Sequence, residues 1–241
     1  MKLLYALLSP LLLLTACQQQ YVIDGNSSVS CLDGRMLYLR LTDDGNEEGA
    51  VVSSICLDSC KMVHGRFSFS GEIDTVRMAL LYSEQHCVMP IVLENGNLSI
   101  EVNNLRQRVT GGPLNDRLYD FFRKRNRFDN ELWELQHKAI SMMHEGKDAA
   151  EVERKLGKRM AKLKKDTEDL ETKFVRDNFE NALGPGFFML LCSQYPTPVL
   201  TPQIRRIVDG APPSFLGHPF VNRYVRLARA RFARYGEEKM P

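Results

Sequence analysis

Tryptophan occurs once in these 241 residues, no Cys-x-x-Cys pair occurs, and neither sign of charge dominates, with 32 basic residues against 30 acidic. Each shortage excludes something. Without Cys-x-x-Cys there is no thioredoxin-type redox pair. Near-neutrality removes the basic surplus that draws a chain to nucleic acid, so no nucleic-acid partner is expected. Gly-x-Ser-x-Gly elbows, Walker-type loops and His-Glu-x-x-His are also missing, and with them the common hydrolase signatures. No apolar run approaches the roughly 20 residues of a membrane-spanning helix. What is present is an apolar fraction of 44%, ordinary for a globular protein.

The first residues have a different character. Lys2 precedes an apolar run from Leu3 to Leu14, and Thr15 and Ala16 then lead into Cys17. A charged start, a short apolar core and small residues before the cut make a signal peptide. Leu14-Thr15-Ala16-Cys17 resembles a bacterial lipobox, in which the cysteine is acylated and becomes the new N-terminus. Residues 1–16 are therefore expected to be removed and Cys17 to be the lipidation site and the membrane contact. One acyl chain binds a bilayer marginally, whereas several hold it essentially permanently. Gln18, where aspartate would resemble an inner-membrane retention signal, favours the outer membrane, on its periplasmic face or at the cell surface. The remaining 225 residues suffice for one large or two modest cores.

Patterning divides that remainder near residue 112. Across 17–112, short alternating runs such as Met36–Leu41, Arg66–Ser70 and Thr75–Tyr82 are separated by Gly, Asn and Asp turns, with a polar loop from Asp43 to Gly49. Val88–Leu93 and Leu98–Val102 flank Glu94-Asn95-Gly96-Asn97, a strong hairpin signal because Asn and Gly tolerate positive φ. The expectation is an antiparallel β-sandwich or curled sheet. Across 113–241 the period becomes helical. Leu118, Phe121, Phe122, Phe128, Leu132, Leu135 and Ile140 share one amphipathic face, Gly146 ends that helix, and Asp148 caps the next, with Glu151 at the capping-box position. The pair should form an antiparallel hairpin. Gly184-Pro185-Gly186 should break the chain, Thr201-Pro202 should start another helix, and Pro219 should open a last one through Tyr235. The fold class is α+β: a β-rich domain, then a helical hairpin and short C-terminal helices.

Several motifs carry a family resemblance: Tyr21-Val22-Ile23-Asp24-Gly25, Val63-x-Gly65-x-Phe67-x-Phe69-x-Gly71 and Gly111-Gly112-x-Leu114-Asn115-Asp116, with Phe174-Val175-x-x-Asn178, Asn181-x-x-Gly184 and Pro212-Pro213-x-Phe215 in the helical part. The chain resembles the uncharacterised β-rich N-terminal domain, plus helical spacer, of bacterial thioredoxin-like thiol–disulfide oxidoreductase lipoproteins. In those relatives a thioredoxin-like domain follows the spacer, whereas this chain reaches Pro241 without one. The resemblance thus implies a non-catalytic interaction or scaffolding module, with a separately encoded periplasmic thioredoxin-like protein as its partner.

The candidate chemistry is thin. Cys31, Cys56, Cys60 and Cys87 are candidates for a disulfide or redox role, and Cys56 and Cys60 are the nearest to a redox pair. Along an extended strand those two α-carbons would stand roughly 13 Å apart, against the ~7 Å limit of a disulfide, so a structural bridge between neighbouring loops is favoured. Cys192, in apolar surroundings, reads as a buried free thiol. No metal site or cofactor is expected, since His137 and His144 stand about 10.5 Å apart along a helix and His64, His86 and His218 lack ligand neighbours in sequence. Arg223, Arg226 and Arg234 on the last helix form a candidate surface for a partner or for anionic lipid, although a solvated, snorkelling face is the favoured reading of them. Tyr38, Phe67, Phe69 and Tyr82 read as core. The leading function is a membrane-anchored scaffold. The alternatives are thiol redox work through Cys56 and Cys60, or binding of glycans or peptides.

Overall fold

The computed structural model describes residues 19–43, 53–84, 86–104 and 106–235. The signal segment, Cys17 and residues 44–49 of the polar loop lie outside the described residues. Eight strands form two four-stranded sheets: β1 (Gln19–Ser27), β2 (Met36–Asp43), β3 (Ser53–Lys61), β4 (Arg66–Ile73), β5 (Arg77–Ser83), β6 (His86–Leu93), β7 (Gly96–Val102) and β8 (Gln107–Thr110). One sheet has the order β4-β1-β7-β8 and the other β3-β2-β5-β6. All pairs are antiparallel except β1–β7. Alternation supplies the inner faces. Tyr21, Ile23, Phe67, Phe69, Leu98 and Ile100 from the first sheet meet Leu37, Leu39, Leu81, Met89 and Ile91 from the second in one buried cluster.

The expected hairpin across Asn95-Gly96 does not form. Its two strands lie in different sheets, β6 at the edge of one and β7 in the middle of the other. The turn residues themselves are as expected, with Gly96 at φ +108°. They fold one sheet over the other, because both flanking strands have an apolar face that only the inter-sheet core can cover.

The sandwich has two distinguishable ends. The chain enters β1 at the end that also holds the β4–β5 turn and the β6–β7 turn. The β1–β2 and β3–β4 connections lie at the opposite end, as the registers Gln19↔Ile73, Tyr21↔Gly96 and Met36↔Lys61 require.

At the entry end the sandwich hands over to α1 (Pro113–His144) through a buried polar joint. Glu94, 6% exposed, accepts hydrogen bonds from the backbone N–H groups of Leu114 (3.0 Å) and Asn115 (2.9 Å) and from Asn115 Nδ2 (2.9 Å). It therefore caps the helix that Gly112, lacking a side chain, cannot cap. Asn115 in turn accepts from the Val92 N–H (2.9 Å) and donates to the Val92 carbonyl (2.7 Å), standing in for a neighbouring strand at the β6 edge. A β-carbon on Gly112 would lie 2.2 Å from Glu94 Oε2, and one on Gly111, at φ +108°, would lie 2.1 Å from the Asn97 carbonyl. The Gly-Gly-x-Leu-Asn motif is thus the footprint of this joint.

From there α1 runs along β6 toward the opposite end. Asn115 sits at Val92 and the Tyr119 hydroxyl donates to the Pro90 carbonyl at 2.7 Å. Four helical residues therefore cover two strand residues, roughly 6–7 Å in each case. Arg123, Arg125 and Asn126 reach the level of the β7–β8 turn, sharing a depression with Asn103 and Arg106. The remaining residues to His144 extend roughly 27 Å farther.

Gly146, at φ +85°, closes α1, and the Asp148 carboxylate accepts from the Glu151 N–H, as expected. The returning helix is continuous from Ala149 to Asp177: α2 (Ala149–Val152), a π-helical turn (Glu153–Gly157) and α3 (Lys158–Asp177). Leu135, Ala139, Met142, Val152, Leu156 and Met160 seal the hairpin. Ile140 does not share that seam and is 52% exposed. Once Leu135, Ala139 and Met142 define the contact at i, i+4 and i+7, Ile140 is rotated about 100° from Ala139.

Four further helices follow: α4 (Leu183–Cys192), α5 (Pro202–Asp209), α6 (Pro213–Leu216) and α7 (Pro219–Tyr235). Gly184-Pro185-Gly186 lies within the first turn of α4 rather than breaking the chain. Proline loses no bond there because first-turn N–H groups have no helical acceptor. A β-carbon on Gly184 would lie 2.3 Å from the Asn178 carbonyl, and one on Gly186 would lie 2.7 Å from Met78 Cβ. Met78 and Val92, on the outer face of the β3-β2-β5-β6 sheet, are buried in the helical core with Phe121, Phe174, Phe187, Phe188 and Tyr224. The helical core therefore extends onto the outer face of this sheet and is separated by the sheet from the core between the two sheets.

Candidate interaction surfaces

The projecting hairpin carries the most exposed large apolar side chains on any one helix. Trp133 is 57% exposed, and Ile140 and Met143 are each 52% exposed. With His137 they occupy a single flank of α1, since steps of three, four and seven residues return to nearly the same side. The Trp133 and His137 rings are in tilted contact with centroids 3.7 Å apart, and His137 Nδ1 lies 3.0 Å from the Trp133 carbonyl oxygen. Arg159 of the returning helix is joined to Glu131 of α1 through two bonds of 2.5 and 2.6 Å, an ion pair that ties the two arms together near the stripe. The outcome is an exposed stripe that begins at the chain's single tryptophan. Exposed tryptophan in such a patch marks protein contact more than any other residue. The period alone had assigned Ile140 to the core. The legible signal was that Trp133 stands one residue away from the apolar set of α1.

A second surface is the uncovered half of the β3-β2-β5-β6 sheet. The residues Tyr38 and Tyr82, expected in the core, face outward as direct cross-strand partners and are half-buried, whereas Phe67 and Phe69 are core. The Arg40 guanidinium lies 5.3 Å from the Tyr38 ring centroid and 4.8 Å from that of Tyr82, a cation–π clamp. Parity explains this: Leu37, Leu39 and Leu41 take the inner positions of β2, so Tyr38 and Arg40 take the outer ones.

The cysteines are dispersed. All five described cysteines are free thiols, and none of them is bridged to another in this structure. Cys31 lies in a 3-10 turn at the opposite end. Cys56 and Cys60 share strand β3, where a bulge shifts the register between Leu39 and Arg40. Cys56 therefore sits beside Arg40 on the outer face, while Cys60 packs against the inner core. One continuous strand and opposite faces keep the two sulfurs from bonding unless β3 dissolves. Cys87 pairs with Tyr82 on the outer face. Burial raises the thiol pKa of Cys60, Cys87 and, most of all, Cys192, which is the buried free thiol expected. A raised pKa withholds the reactive thiolate.

Alkylation at pH 8 is accordingly expected to modify Cys192 only when the chain unfolds, as read by mass mapping with and without urea. The same shift sets a pH trend. The fold holds Cys192 protonated, so its contribution is full below the unfolded thiol value of 9.0 and declines as pH rises past it. Tyr224, also raised by burial, acts in the same direction. Urea midpoints should fall between pH 8 and pH 10.5.

On α7, Arg223 is half-buried and Arg226 and Arg234 are exposed, and no acidic residue occurs between Pro219 and Tyr235. The Phe232 ring lies under the Arg205 guanidinium of α5 at 4.5 Å, so it is engaged within the chain. Among the described residues no three His, Cys, Asp or Glu side chains gather as a metal site. No described helix is long and apolar enough to cross a membrane.

Residues 21–118 match the family model described as a domain of unknown function (DUF4369). The match covers the β-rich part of the chain and extends into α1 far enough to include the Glu94–Asn115 joint. No curated protein matches the chain by sequence.

Proposed function

We propose that this protein is a lipid-anchored lipoprotein of the cell envelope, without a reaction centre of its own, that holds a docking face for another protein away from the membrane. The polarity of the fold carries this reading. Cys17 precedes β1 by two residues, at the entry end of the sandwich, and the exposed Trp133–Ile140–Met143 stripe lies beyond the opposite end. Along α1, roughly 30 Å separates Pro113 from Trp133 and roughly 45 Å separates it from Met143. A thioredoxin-like protein of the periplasm is the partner suggested by the family resemblance, with the outer membrane as the site of anchoring.

The anchor and the docking face are tested separately. Cys17→Ser should leave the protein in the soluble fraction after cell disruption, and retention in the membrane would sink the anchor. A photo-crosslinking amino acid at Gln136, beside the stripe, should capture a partner in cells, and Trp133→Ala should reduce that capture at least tenfold, as for a central aromatic anchor of about 1.4 kcal/mol or more. Equal capture by the Trp133→Ala chain would remove the docking role.

A second reading rests on the Tyr38–Arg40–Tyr82 cluster on the outer sheet face, whose half-buried aromatic rings suit a sugar ring or a peptide side chain. Tyr82→Ala would abolish retention on an immobilised glycan or peptide library if that surface is used.

A further inference from the structure

Between the entry end of the sandwich and the helices lies a cleft of about 690 Å³ that neither docking surface includes. Val76, Met78, Leu114, Phe179, Met189 and Phe220 give it a mainly apolar lining, and Arg77 and Glu180 stand at its rim. Its volume falls within the ~300–1,000 Å³ of small-molecule sites.

Its position selects the ligand. Gln19 at the start of β1 is the register partner of Ile73, and the chain continues from Ile73 through Asp74 directly to Thr75 and Val76, which line the cleft. Cys17 is two positions before Gln19, a reach of no more than about 7 Å. If Cys17 carries the membrane anchor, as proposed above, this end of the body rests against the headgroups and the cleft opens beside the bilayer. The commonest apolar ligand available there is a lipid chain.

We infer that this cleft accepts one acyl chain of a bilayer phospholipid. The aromatic and thioether side chains supply an apolar channel that adapts to a flexible chain, and Arg77 at the rim is placed to meet an anionic headgroup.

The test uses the full lipidated chain in phosphatidylglycerol/phosphatidylethanolamine vesicles doped with a phospholipid bearing a diazirine near the end of one acyl chain. After irradiation, mass mapping should find label on the Thr75–Met78 and Phe179–Met189 peptides. Val76→Trp, which fills the cleft from a half-buried position, should reduce that label at least fivefold with no change in thermal midpoint. Label confined to exposed residues, or undiminished by Val76→Trp, would overturn the inference. The soluble Cys17→Ser chain, incubated with a diazirine fatty acid, should label the same peptides, so a failed anchor does not imitate a failed cleft. Labelling of the Cys17→Ser chain alone, with the lipidated chain protected, would assign the cleft to the protein's own lipid and overturn the bilayer source.

Discussion

Glu94→Ala is expected to lower the stability of the Cys17→Ser chain by about 3 kcal/mol. The carboxylate accepts three hydrogen bonds while almost fully buried. Its loss strands two helix N–H groups and one amide proton, each costing about 1–3 kcal/mol where water cannot enter. For a domain of this size that amounts to roughly 10 °C in thermal midpoint. Asn115→Asp should be worse at neutral pH, because it sets a second carboxylate against Glu94 Oε2 and the Val92 carbonyl. Like-charge repulsion and burial raise the pKa of the new acid. The variant should therefore regain stability as pH falls toward the ordinary aspartate range and lose it as pH rises. Urea titrations at pH 4.5 and pH 7.5 would show this. An Asn115→Asp chain insensitive to pH over that range would mean that the joint is wetter than its burial indicates.

Phe121→Ala is expected to cost about 4 kcal/mol, the upper range for a buried aromatic. Its ring stacks on Phe174 with centroids 4.0 Å apart and meets Phe187 edge-on at 4.8 Å. It therefore ties α1 to α3 and α4 at the base of the hairpin. Phe121→Leu keeps most of the volume and loses the ring geometry, so a cost near 1.5 kcal/mol is expected. The consequence for the docking face is separate from stability. With its base loosened, amide exchange should accelerate in residues 126–144, where the hairpin's apolar contact is the small seal of Leu135, Ala139, Met142, Val152, Leu156 and Met160, joined by the exposed Arg159–Glu131 pair. Unchanged exchange there, alongside lost global stability, would show that the hairpin is rigid on its own.

Local signals were legible because they depend on neighbours in the chain. The alternation of β4 and β7, the end of α1 at Gly146, the cap at Asp148, the proline starts of α5 and α7 and the burial of Cys192 follow from turn chemistry, capping and apolar period. The family resemblance likewise rested on glycines and asparagines, and the structure shows what they serve. Gly112 and Asn115 make the joint with Glu94, and Asn178 and Gly184 make the turn from α3 to α4.

Pairing between distant segments was decided only by the tertiary structure. Asn95-Gly96 specifies a turn, but whether its strands join one sheet or face each other across a core depends on which faces other strands can cover. The outward positions of Tyr38 and Tyr82 depend on Leu37 and Leu39 winning the interior, and the bulge that parts Cys56 from Cys60 exists only in register with β2. Glu94 and Asn115, twenty-one residues apart, gave no periodic signal, because a buried polar contact obeys geometry rather than repeat. Backbone propensity and side-chain period are properties of a short stretch, whereas burial is a competition among all stretches, settled when the sheets and helices close on one another.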